Sequence, residues 1–109
     1  MDIAVKTPQA PLRLRDAFIA RIRAKHYAPS TEKCYWGWIR DYCRHYPGKH
    51  PRELQPTDIE AFLSHLATVR NVSASTQNQA LAAILFLYRD VYDVKLPWLD
   101  NITRAKRPV

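Results

Sequence analysis

Residues 73–92 read SASTQNQALAAILFLYRDVY, and the spacing of their apolar side chains decides the fold. Leu81, Ile84, Leu85, Tyr88 and Tyr92 recur at the helical period, and Ser73 stands where an N-cap belongs. Ala82, Ala83 and Phe86 make the opposite face small or apolar as well. A helix of that kind is either central to a bundle or meets a second surface. The same period recurs upstream. One helix is expected from about Leu12 to Tyr27, opening after Pro11, with Leu14, Phe18, Ile19 and Ile22 on one side; Ala28-Pro29 ends it, because a residue before proline avoids helical geometry. A second runs from an N-cap at Ser30 to about Tyr46, with Gly48 just past its end and a core stripe of Tyr35, Trp38, Ile39, Tyr42 and Tyr46. A third opens on Thr57–Glu60 as a capping box and carries Ile59, Phe62, Leu63, Leu66 and Val69. The expected class is therefore all-α, with a flexible stretch over 1–11, a helical domain over 12–96 and a basic linker over 97–109.

With 109 residues the chain is one domain or a piece of something larger. Its hydrophobic share of 47% is that of an ordinary globular protein, so a formal charge of +7 sits on a folded body and attracts polyanions, nucleic acid foremost. The charge is uneven: +4 over residues 1–27, +2 over 28–49, −2 over 50–93 and +3 over 94–109. Such asymmetry orients a module on a polyanion.

Other classes fall away. The longest apolar run, Ala80 to Tyr88, is too short to span a bilayer, and the N-terminus lacks the pattern of a signal peptide, so an intracellular protein is expected. Cys34 and Cys43 fall on one helix about 13 Å apart in rise, too far for a disulfide. No C-x-x-C occurs, and His26, His45, His50 and His65 show no ligand spacing with the cysteines, so no metal site is expected. Most tyrosines occupy core positions, Asp58 and Glu60 suit capping better than acid–base work, and no nucleophile elbow, phosphate loop or zinc-protease motif occurs.

Three sets of residues suit nucleic acid. On the second helix Lys33, Gly37, Arg40 and Arg44 lie opposite the core stripe with Trp36 at their edge: cations for phosphates, a glycine for close backbone approach, and an indole to stack on a base. The alternative is a solvated polar face, with Gly37 accommodating a neighbouring helix. In the turn Lys25-His26-Tyr27-Ala28-Pro29-Ser30-Thr31, cationic and hydroxyl groups adjoin a helix start, where free N–H groups favour phosphate; capping alone would also explain it. At the start of the fourth helix Ser75, Thr76 and Gln79 project away from the core, with Gln77 and Asn78 at its margins; they suit base edges or phosphates, and equally an ordinary helix start.

Several blocks in register resemble a known family. His50-Pro51-Arg52, Asp58–Leu63, Asn71–Leu81 and Leu85–Arg89 resemble the N-terminal core-binding domain of tyrosine recombinases, the phage integrases. The resemblance is strongest to integron integrases, through His26-Tyr27, Ser30-Thr31-Glu32 and the basic exit Arg104-Ala105-Lys106-Arg107-Pro108. It implies a four-helix SAM-like orthogonal bundle forming half of a C-shaped clamp on DNA, its second and fourth helices facing the duplex, with a catalytic domain beyond the linker. Through those two helices it favours Lys33, Trp36, Arg40, Ser75, Thr76 and Gln79; with Lys25, His26, Ser30, Thr31, Arg44, Arg104, Lys106 and Arg107 these make the expected DNA-binding set. The implied partners are recombination-site DNA and other recombinase protomers in the bacterial cytoplasm, with no cofactor, small-molecule ligand or membrane. No H-x-x-R occurs at any histidine and the chain stops at Val109, so a non-catalytic fragment is expected. The alternative is a protein-interaction module using the Ala82, Ala83 and Phe86 face.

Overall fold

The computed structural model describes residues 10–96, 99 and 103–105, with side chains from residue 14 onward within that set. Four α-helices make up the bundle: α1 (Ala10–Ala24), α2 (Pro29–His45), α3 (Pro56–Thr68) and α4 (Ala74–Phe86). A 3-10 turn, Pro51–Glu53, precedes α3, and a π-helical turn, Leu87–Val91, continues α4. Among the described residues there is no strand. Of the stretch 1–11, residues 1–9 lie outside the described set, and Ala10 and Pro11 already belong to α1.

Proline sets where two of the helices begin. Ala28 and Gln55 are extended N-cap residues (ψ 148° and 164°), each followed by proline at the first helical position. The residue before proline is pushed into extended geometry, and the ring's fixed φ suits the first helical turn. This corrects both expected caps. Ser30 is a helical residue of α2, whose N-cap Ala28 has no side-chain bond. The box at α3 is formed by Gln55, whose N–H donates to Asp58 Oδ2 at 2.7 Å, and not by Thr57. Ser73 does cap α4, its Oγ accepting from the Thr76 N–H at 3.1 Å.

Left-handed residues end the elements. His26 (φ 61°), Asn71 (52°) and Asp93 (55°) join Gly48 (84°) after α1, α3, the π turn and α2 respectively. In a chain with 2 glycines, the reversals fall mostly to the types that best tolerate this geometry. At α1 the cap is a Schellman motif: Tyr27 N–H donates to the Ile22 carbonyl at 3.2 Å and His26 N–H to that of Arg23 at 2.9 Å.

The core follows the helical stripes. Phe18, Ile22, Ile39, Tyr42, Leu63, Leu66, Ala80, Ala83, Ile84 and Leu87 are fully enclosed, with Leu14, Ile59, Phe62, Phe86 and Tyr88 nearly so. α4 is the central helix, packed against both α2 and α3. The Phe86 ring lies within 5.4–5.9 Å of Phe18, Tyr27 and Tyr35. With Phe86 and Ala83 buried and Ala82 half-buried, most of that face of α4 is core, which leaves little of the surface a protein-interaction module would use. Val69, expected inside, is 64% exposed at the C-cap of α3. Buried hydroxyls are chained: Tyr88 donates to the Pro51 carbonyl at 2.6 Å, so the Tyr42 hydroxyl, 3.0 Å away, donates to Tyr88. Burial raises both phenols, Tyr88 to about 12.

Candidate nucleic-acid interface

The outward side of α2 is set by its core stripe. With Ile39 and Tyr42 anchored inside, Lys33, Arg40 and Arg44 fall within about 40° of arc on a wheel of about 100° per residue, along roughly 16 Å of axis. All three are exposed. Among the described residues no ion pair engages them, whereas the cations around them are taken: Arg23 by Glu32 (3.0 Å), Lys25 by Asp90 (3.0 Å) and Arg70 by Asp41 (3.3 Å). Arg70 also lies over the Trp38 ring at 5.7 Å. A β-carbon at Gly37 would meet nothing within 4 Å, so the glycine accommodates no neighbouring helix and leaves the middle of the ridge low.

Two expected members of this face are otherwise engaged. The Trp36 ring is half-buried and packs on Phe18 at 5.7 Å, because its position faces α1; it belongs to the edge of the core. Lys25 is drawn to Asp90 in the π turn. His26 is exposed and holds the left-handed cap position of α1. Ser30 is exposed and Thr31 half-buried in the first turn of α2. Their carboxylate neighbour Glu32 is bridged by Arg23 through Nε and Nη2 at 3.0 and 3.2 Å, and this hydrogen bonding lowers its pKa.

The polar turn of α4 lies beside α2. The Cys34 thiol donates to the Gln79 amide oxygen at 3.7 Å, which joins the first half of α2 to that of α4. Ser75 and Gln79 are exposed. Thr76, expected to project outward, is half-buried because its hydroxyl accepts from Ser73 at 3.0 Å and closes the cap. Asn78 is exposed and accepts from Arg104 Nη1 at 3.4 Å. Arg104 was expected in a free linker, yet residues 103–105 lie against α3 and α4; Lys106 and Arg107 lie outside the described residues.

Sequence reasoning missed Gln77 and Ser64. Gln77 is 1% exposed and its amide spans three backbone groups. The signal was present, since Gln77 stands seven and eleven residues before the core positions Ile84 and Tyr88, and an amide on a core stripe must be bonded. Ser64 carries no such signal.

Among the described residues no group of three or more His, Cys, Asp or Glu is placed to hold a metal ion, and no helix is long and apolar enough to cross a membrane. Cys34 and Cys43 are both free, and burial raises the Cys43 thiol to about 11.

Comparison with known proteins adds to this geometry. Residues 14–98 match the family described as phage integrase, N-terminal SAM-like domain. Over 108 residues the chain is 44% identical to an integrase/recombinase of Escherichia coli and to one of Pseudomonas aeruginosa, covering 94% of this chain and 32% of each relative. A probable integrase/recombinase protein of Methanocaldococcus jannaschii is 43% identical over 69 residues, 62% of this chain and 21% of that protein. The chain thus spans about a third of the length of the first two relatives. These names correct the expectation of a chain outside the enzyme classes: its relatives are named as enzymes, and it aligns with a part of them.

Proposed function

The chain belongs to the family of phage integrase N-terminal SAM-like domains, and from that premise we propose that it holds recombination-site DNA and positions the duplex for strand exchange by a site-specific tyrosine recombinase. The observation that carries this reading is the α2 ridge, where Lys33, Arg40 and Arg44 stand exposed and unpaired among the described residues on one narrow arc. A row of unpaired cations on a rigid helix releases counterions when it meets a phosphate backbone, and that release drives sequence-independent binding. Ser75 and Gln79 on the adjoining turn of α4 supply hydroxyl and amide groups suited to base edges or phosphates, and Arg104 adds a cation at its flank. Other protomers of the same recombinase, assembled on the DNA in the cytoplasm, are the protein partners.

Within this class we favour the integron type. The support is the sequence itself: His26-Tyr27 with Ser30-Thr31-Glu32, the long block Asn71–Leu81, and the exit beginning at Arg104. Its substrates would include attachment sites folded as single-stranded hairpins, recognised by shape and extrahelical bases. The test is titration of labelled duplex and of a hairpin with extrahelical bases against the chain at several salt concentrations. Each phosphate contact contributes about −0.9 to the slope of log K on log salt, so the three ridge cations contribute about −2.7 and Arg104 about −0.9 more. A salt-independent affinity overturns the DNA reading. A hairpin bound no more tightly than duplex overturns the integron assignment alone.

A further inference from the structure

The segment at residues 103–105 is held by side chains that meet its backbone as a neighbouring strand would. The Gln77 Nε2 donates to the carbonyls of Leu63 (3.0 Å) and Thr103 (2.8 Å), while Oε1 accepts from the Ala105 N–H at 2.9 Å. The Thr103 N–H donates to Ser64 Oγ at 2.8 Å. A carbonyl and the N–H two residues on are the pair that a parallel neighbour engages in a sheet, so the Gln77 amide stands in for the N–H and C=O of one residue of an absent strand. Both amide protons are used, as burial requires. The register has a consequence. Ala105 is turned inward, 8% exposed, while Arg104 is exposed and its guanidinium meets Asn78 on the exposed turn of α4.

We infer that Gln77 and Ser64 form a clamp that fixes residues 103–105 in register and so delivers the Arg104 guanidinium to the polar turn of α4 as a nucleic-acid contact. Both are positioning residues, acting through Arg104, and the inference rests on the DNA reading above. The clamp is built wholly from side chains of α3 and α4 on backbone groups of the segment, so the identity of residue 104 is free to serve the ligand. A one-residue slip would carry the guanidinium into the enclosed place that Ala105 holds.

The test pairs amide hydrogen exchange with binding of a mixed-sequence DNA duplex, using the chain and its Ser64→Ala, Gln77→Glu and Arg104→Ala variants. Gln77→Glu keeps the acceptor for Ala105 but sets a carboxylate oxygen against two carbonyls; Ser64→Ala is the milder change should that variant fail to fold, as circular dichroism will show. Loss of one bond lowers protection of the Thr103 and Ala105 amides by about fivefold to tenfold. Arg104→Ala weakens duplex binding by about fivefold to tenfold near 0.1 M salt and reduces the salt slope by about 0.9. Ser64→Ala is expected to weaken binding in the same direction, and to have no further effect once Arg104 is alanine. Equal losses with and without Arg104, or full affinity despite deprotected amides, overturn the clamp's positioning role. If the unaltered chain binds no duplex at low salt, the DNA reading itself fails; the exchange data, taken without DNA, separate the two failures.

Discussion

The outward side of α2 and the polar first half of α4, on helices joined through Cys34 and Gln79, are built on opposite terms. On α2 the cations Lys33, Arg40 and Arg44 touch no carboxylate among the described residues and flank an open glycine. On α4 the polar groups have partners inside the protein: Ser73 with Thr76, Gln77 with three backbone groups, Asn78 with Arg104, and Gln79 with Cys34. A surface of unpaired charge acts at a distance and tolerates variation in what it meets. A surface whose side chains are already oriented presents fixed donors and acceptors, which is what discrimination requires. On the proposed DNA reading, the two helices would therefore divide attraction from positioning.

That division is broken most directly by reversing charge on the ridge. Lys33→Glu with Arg40→Glu is expected to weaken duplex binding at least about 100-fold near 0.1 M salt, with every sequence affected alike. The melting temperature should hold or rise, since like charges are being removed from a surface of net +7. On α4, Ser75→Ala with Gln79→Ala should cost only a few-fold and alter the ranking of sequences more than the mean affinity. Uniform loss from the α4 pair, or sequence-dependent loss from the α2 pair, would exchange the roles assigned to the two helices. Gel-shift titrations on a small panel of duplexes distinguish these outcomes.

The inner side of α2 sharpens the comparison, because its polar groups are closed off as firmly as those of α4. Desolvation first, and then the bond to Tyr88, push the Tyr42 phenol far above its ordinary value of 10.0. An acid raised in the folded state stabilises the fold fully below its unfolded pKa. That stability is lost as pH climbs from about 10 toward the folded value, at about 1.4 kcal/mol per pH unit for each such group. With Tyr88 raised to about 12, urea midpoints should be flat near pH 9 and fall steeply above pH 10. Tyr42→Phe should lower the midpoint at pH 8 yet flatten its alkaline fall; an unchanged slope would show that the pair does not govern the alkaline limit.

The helical stripes were legible because burial imposes period on sequence: Phe18, Ile22, Ile39, Tyr42, Phe62, Leu63 and Ile84 all fall inside as their spacing requires. The helix starts were misread where a hydroxyl and a proline compete, since a proline fixes φ by covalent geometry while a serine adds only one weak bond. Of the proposed contact set, Lys33, Arg40, Arg44, Ser75 and Gln79 are exposed as expected. Trp36, Thr76 and Lys25 were claimed by Phe18, Ser73 and Asp90. Such claims depend on which residues of other elements come near, and a helical wheel carries only one element at a time. The clamp at residues 103–105 was illegible for the same reason, since a segment without periodicity shows no binding partner until the partner is in place.

The smallest expected effect tests the residue whose role is least settled by the wheel. His26 combines an exposed imidazole, suited to a phosphate, with φ 61° at the Schellman cap of α1. These two roles respond oppositely to glycine. Relief of a left-handed backbone is worth about 1–2 kcal/mol, against which glycine's greater freedom in the unfolded chain costs about 0.5–1 kcal/mol. His26→Gly should therefore stabilise the fold by about 0.5–1 kcal/mol in urea denaturation. If the imidazole touches DNA, the same variant binds duplex a few-fold more weakly. If His26 only closes the helix, affinity stays at that of the unaltered chain, and the residue leaves the contact set as a cap.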